Sequence, residues 1–238
     1  DLVEKTVETI KEAYDCADIL KDLNRINQTI RRSTYMSDKK NVYISADYDE
    51  KSGDREVADL LNTWGQDDKH KVNFIDTAKV AKGSVSKDSD CRPCDLKYEF
   101  NSQINASSVV IFIVGDKTAD RTAGNVCPRY EQGCWVSNGC TPYKGNANGQ
   151  KSCKYYLTTS AGEDVGSINT YSYLRHEFEQ AKKKNKKIII LYNSFYKQTS
   201  WLPSYMKGYE DCGHPFWKWS SSGNKVGDYE YIKTQLEF

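Results

Sequence analysis

Hydrophobic positions change their period along this chain, and the change divides it. From residue 2 to residue 32, Val3, Val7, Ile10, Tyr14, Ala17, Leu20, Leu23, Ile26 and Ile30 recur every three or four positions with no Gly or Pro between them. That spacing predicts one long amphipathic helix within residues 1–36. Its apolar stripe either packs along the rest of the chain or pairs with a second copy in a coiled-coil-like seam, making a homo-oligomer. Ser37-Asp38-Lys39-Lys40 is a polar break. Beyond it, over 41–238, short apolar runs alternate with helical patterns, the signature of an α/β domain with a mainly parallel sheet flanked by helices.

Strands are expected at Asn41–Ala46, Lys71–Asp76, Ser108–Val114 and Lys187–Tyr192. Ser108–Val114 is apolar on both faces and therefore central. Helices are expected at Asp54–Trp64, with Val57, Leu60, Leu61 and Trp64 inward, and around Leu96–Ile104. Asp228–Glu237 makes a closing helix. Between the third strand and the helix around Glu177 lies an irregular, Cys-rich segment at about 119–170, far longer than the roughly 2–6 residues usual for such a connection. It reads as an insertion placed at the carboxyl end of a strand, where ligands bind in open parallel sheets. The tail from Ser194 onward is rich in aromatics, suited to a core, an interface or a stacking platform for a base.

Composition narrows the partners. Lys and Arg number 34 against 33 Asp and Glu, a formal net charge of +1. No whole-molecule field then favours nucleic acid or an anionic membrane. The apolar runs fall well short of the roughly 20 residues that span a bilayer. No charged-then-apolar leader opens the sequence, which begins at Asp1, and a cytoplasmic location is expected. Six of the eight cysteines, Cys91, Cys94, Cys127, Cys134, Cys140 and Cys153, cluster. The Cys91-x-x-Cys94 pair has metal-ligand spacing, so a structural zinc, disulfides and free thiols all stay open.

Candidate chemistry centres on Ser172-Tyr173-Leu174-Arg175-His176-Glu177-Phe178-Glu179. At about 100° per residue, Leu174, Phe178 and Ala181 share a stripe, with Glu177 at its edge and Glu179 opposite. Glu177 is thus expected half-buried beside a cleft, where a carboxylate stabilises developing positive charge. An ordinary amphipathic-helix glutamate satisfies the same pattern. Strand-end loops bring Ser45, Ala46, Asp47, Tyr48, Asp76 and Asp116 toward one crevice. Ser45, Asp47, Tyr48 and Asp116 each also suit a plain loop or strand-end hydrogen bond. Neither a G-x-G-x-x-G sequence nor a Walker loop occurs, which argues against a Rossmann dehydrogenase or P-loop NTPase.

Asn41-Val42-Tyr43-Ile44-Ser45-Ala46-Asp47-Tyr48-Asp49, Asp54-Arg55, Val110-Ile111-Phe112-Ile113-Val114-Gly115, Leu174-Arg175-His176-Glu177 and Lys186-Lys187-Ile188-Ile189-Ile190 follow in that order. Together they resemble the TIR-like proteins of the Thoeris antiphage system, the ThsB family. The resemblance covers residues 41 to about 238 and leaves out the N-terminal helix. The chain departs from the family pattern in its insertion and at Ala46-Asp47, where an aromatic–polar pair is common.

The resemblance implies a flavodoxin-like TIR fold. It also implies an NAD-cleaving enzyme, a glycohydrolase or ADP-ribosyl cyclase with Glu177 as the catalytic carboxylate. NAD is then the substrate and no cofactor is required. A phage-derived trigger and a messenger-responsive effector protein are the implied partners. Two other readings stand beside it: a non-catalytic TIR assembly module, and a nucleoside deoxyribosyltransferase-like enzyme, which also uses a glutamate at a glycosidic carbon.

Overall fold

The computed structural model describes residues 39–47, 53–66, 71–77, 92–122 and 172–237, apart from the side chains of 92–95. The expected N-terminal helix, Tyr48 and most of the Cys-rich insertion lie outside these residues. So do Cys16, Cys91, Cys127, Cys134, Cys140 and Cys153. Cys212 is a free, exposed thiol.

Strands β1 (Lys40–Ser45), β2 (Val72–Asp76), β3 (Val109–Val114), β4 (Lys187–Tyr192) and β5 (Gly213–Pro215) form one sheet in the order β2-β1-β3-β4-β5. All four pairings are parallel. This is the strand order of flavodoxin-like folds, whose ligands bind at the carboxyl ends of β1 and β3, where the order reverses. The helices are α1 (Asp54–Gln66), α2 (Arg92–Ala106), α3 (Tyr173–Lys183) and α4 (Tyr229–Leu236).

Alternation along the strands feeds two cores. Val42, Ile44, Ile111, Ile113, Ile189 and Leu191 pack with Val57, Ala58 and Leu61 of α1 and with Ile232 and Leu236 of α4. On the opposite face Tyr43, Val110, Phe112, Val114, Ile190 and Tyr192 meet Ile104 of α2 and Phe178 and Ala181 of α3. Every residue of β3 is buried, as expected for a central strand covered on both sides. Fully burying such side chains stabilises by about 1.5–3 kcal/mol each, which locks the strand register.

The tail holds structure that the sequence pattern did not announce. Besides β5 it forms a hairpin, β6 (Trp217–Trp219) antiparallel to β7 (Lys225–Gly227). Pro215 ends β5, the outermost strand of the described sheet, where a missing N–H is tolerated. Asp228 caps α4 by accepting from the Tyr231 N–H at 3.3 Å, and Glu237 closes it in the left-handed conformation. No helix among the described residues is long and apolar enough to cross a membrane.

Candidate functional site

Helix α3 starts at a serine cap: the Ser172 hydroxyl accepts the Arg175 N–H at 3.0 Å. Lys182 and Lys183 occupy the last turn, where cations complement the helix dipole. The helix places Glu177 over β1, whose residues 43 and 45 point to the same face. Tyr43 donates its hydroxyl proton to Oε1 of Glu177 at 3.0 Å, and the Ser45 hydroxyl donates to Oε2. Glu177 is 1% exposed, so the half-buried setting expected from its helical phase is corrected to full burial. Helix α2 packs beside α3 and covers the flank that the phase argument left open, burying His176 and Gln180 as well. Glu179 is part-exposed.

Burial is the largest influence on Glu177 and lifts its carboxyl to about 8. The hydrogen bonds from Ser45 and Tyr43 oppose that rise, and the negative charge of Asp76 adds to it. At neutral pH the resting carboxyl therefore keeps its proton, in a setting where any positive charge brought close favours ionisation. Its neighbour His176 bonds through Nε2 to Oδ1 of Asn101 at 3.0 Å. Burial, reinforced by the Lys97 charge, drives the His176 imidazole down to about 3, so the ring is neutral.

The other expected site residues divide. Ser45 meets Glu177. Ala46 packs into the core on the α1–α4 face. Asp76 is buried and held by Arg55 through Nη1 at 3.0 Å and Nη2 at 2.7 Å, and by Nδ2 of Asn62 at 3.1 Å. It ties α1 to β2, and its negative charge acts on Glu177. Asp47 pairs with Arg121. Asp116 is exposed in the turn after β3.

Two participants were missed from the sequence. Tyr43 was legible as the residue two before Ser45 on an alternating strand. The second is Asp54, the buried first residue of α1. Its Oδ1 accepts from Nδ2 of Asn193 at 3.0 Å, and Oδ1 of Asn193 accepts from the Trp217 indole at 2.7 Å. Gly115, just past β3, gives Asp54 its room: a Cβ there would lie 2.5 Å from Oδ1. Burial raises Asp54 to about 7 against the Asn193 bond; Asp47 and Asp116 push it further up and Arg121 pulls it down.

The switch point therefore carries two protonatable carboxyls, Glu177 on the α2–α3 side and Asp54 on the α1 side. Such perturbed acids in a strand-end setting suit charge stabilisation or proton transfer. Among the described residues no group of three or more His, Cys, Asp or Glu is placed to hold a metal ion. No protein-family model, curated protein or solved structure matches the chain.

Proposed function

We propose that this chain is a TIR-like enzyme of antiphage signalling that cleaves the nicotinamide–ribose bond of NAD. It releases an ADP-ribose-derived messenger, cyclic or conjugated, for a separate effector, after a phage component triggers it. The observation that supports this reading is the buried Glu177 carboxyl, gripped by Tyr43 and Ser45 at the carboxyl end of β1. Nicotinamide leaves as a neutral molecule from a cationic ring, so positive charge develops on the ribose in an oxocarbenium-like transition state. A carboxylate in a water-poor setting stabilises that charge far better than one in bulk water. The pyridinium cation of the substrate favours loss of the Glu177 proton to solvent as it approaches, so the ionised form appears when it is useful. Ser45 and Tyr43 fix the carboxylate's direction and leave it little to reorganise.

The alternative is a TIR-type assembly module in which Glu177 is structural. One observation favours it: both Glu177 oxygens already have partners and the residue is buried. Mass spectrometry of nucleotides decides between the two, using cells that express wild type or Glu177→Gln, each with and without phage. Under the enzymatic reading, NAD falls and a new ADP-ribose-related mass appears only in infected wild-type cells. Unchanged nucleotides in both, with soluble protein and confirmed infection, favour the assembly module. Purified chain that acts on free deoxynucleosides but not on NAD points to a deoxyribosyltransferase.

A further inference from the structure

A cleft of about 290 Å³ opens beside the last strands, lined by Phe195, Tyr196, His214, Trp217, Lys218 and Trp219, with Asp228 at its polar end. It shares no residue with the Glu177 site. Tyr196 is 75% and Trp219 62% exposed, so two large aromatic surfaces are left in water. Trp219 is nevertheless held in place. Its strand pairs with β7, and the Phe195 ring stacks on its indole with centroids 4.5 Å apart and planes 14° from parallel. A flat ring presented in a fixed orientation costs little further ordering when a ligand stacks on it.

The polar end is specific in a different way. Asp228 accepts from Lys218 Nζ at 2.7 Å and the Tyr231 N–H at 3.3 Å through Oδ1, and bonds His214 Nε2 at 3.0 Å through Oδ2. His214 is itself stacked on Tyr231 at 3.6 Å between ring centroids. The carboxylate is thus committed to positioning the two basic side chains. Lys218 gives Asp228 one of its three ammonium protons and keeps others for a ligand. The cleft therefore offers π faces along its walls and hydrogen-bond donors at its end, a match for a planar ring that carries an anion.

We infer that this cleft binds a mononucleotide, with the base stacked on Trp219 and the phosphate on Lys218. A saccharide also stacks on indoles, but a neutral sugar leaves the Lys218 ammonium with no anion to meet. The inference does not rest on Glu177 being catalytic. It is tested on the full chain carrying Glu177→Gln, so that turnover plays no part, by calorimetric and fluorescence titration with AMP, adenosine, ribose 5-phosphate and glucose. AMP should bind saturably and quench tryptophan emission. Trp219→Ala should weaken AMP roughly 5- to 150-fold, the usual range for losing one base stack. Lys218→Gln should weaken AMP while leaving adenosine nearly unchanged, because only the phosphate contact is lost. Tyr196→Ala, at an even more exposed position, supplies a second aromatic variant, and thermal melts check that each variant is folded. Absence of saturable AMP binding overturns the assignment. So does equal AMP affinity in folded Trp219→Ala and wild type, or tighter binding of glucose than of AMP.

Discussion

The Glu177 carboxyl is held between two opposed influences, and each can be changed singly. Burial raises it, while the Ser45 and Tyr43 hydroxyls, by bonding the charged form, lower it. Removing one such bond forfeits about 0.5–1.5 kcal/mol of preference for the carboxylate, or roughly 0.4–1 pH unit. Catalysis by the ionised form should make kcat/KM for NAD rise with pH toward a plateau above about 8. In Ser45→Ala and in Tyr43→Phe that rising limb should move to higher pH with a similar plateau. A pH–rate series on the three proteins checks this. An unmoved limb with a lowered plateau would mean the hydroxyls act on substrate and not on the Glu177 proton. Asp54 warns against reading the limb as one group, because it titrates nearby, at about 7. Repeating the series in Asp54→Asn separates the two.

At the scale of elements, legibility followed length. The strand Lys187–Tyr192 was readable to the residue, since the four aliphatic residues Ile188 to Leu191 stand between a lysine and an aromatic. Strands β1 to β3 were placed to within a residue, and α1 and α4 were recognisable from their apolar spacing. The three-residue strands β5, β6 and β7 were not, because three residues cannot display a period and one of them is Pro215. The burial of Glu177 escaped for a related reason. Helical phase tells which side of α3 faces the sheet, but it says nothing of α2 arriving at the flank. Asp54 and Asn193 met through chain reversals of no sequence regularity.

Strand β5 is fastened to β4 by a glycine. Gly213 lies against the fully buried ring of Tyr192, and a Cβ there would fall 2.3 Å from Cε2. Gly213→Ala should therefore cost about 1–3 kcal/mol, as overpacking does. Tyr192→Leu removes the obstructing ring, so the double variant should lose less than the sum of the singles. Chemical denaturation of the four proteins measures the coupling. Strict additivity would show that contact with the ring is not what reserves position 213 for glycine.

At the scale of the whole molecule, three buried groups whose shifts fall between acid and neutral pH combine, among the described residues, into a pH dependence of stability with a definite sign. His176 titrates near 3 when folded and near 6.5 when unfolded. Below 6.5 the unfolded chain takes up a proton that the native state refuses, so this group removes stability as pH falls toward 3. Glu177 and Asp54 act the other way. Their ordinary values of 4.5 and 3.8 rise to about 8 and about 7 on folding. The native state then holds two protons that the unfolded chain releases, and stability drops as pH rises through those windows. Asp228 is lowered on folding: burial alone would raise it, but the bonds from Lys218 and His214 outweigh burial. It contributes the familiar stability that is lost only in acid. Between pH 4.5 and 6.5 the two carboxyls outweigh the single histidine, and above 6.5 they act unopposed until Asp54 ionises. The melting temperature should accordingly fall from about pH 5 to pH 8, most steeply near neutrality. A Glu177→Gln, Asp54→Asn protein has no proton to lose at either position and keeps only the His176 contribution, so its melting temperature should rise from pH 5 to about 6.5, hold level from there to pH 8, and exceed wild type at pH 8. Calorimetric melts at half-unit steps provide the check. A double variant whose melting temperature falls in parallel with wild type would place the proton release elsewhere in the chain. A profile that no longer falls above pH 6.5 would locate in these two carboxyls a cost of folding that the protein bears near neutral pH, at the strand ends where the proposed chemistry needs an acid that can ionise.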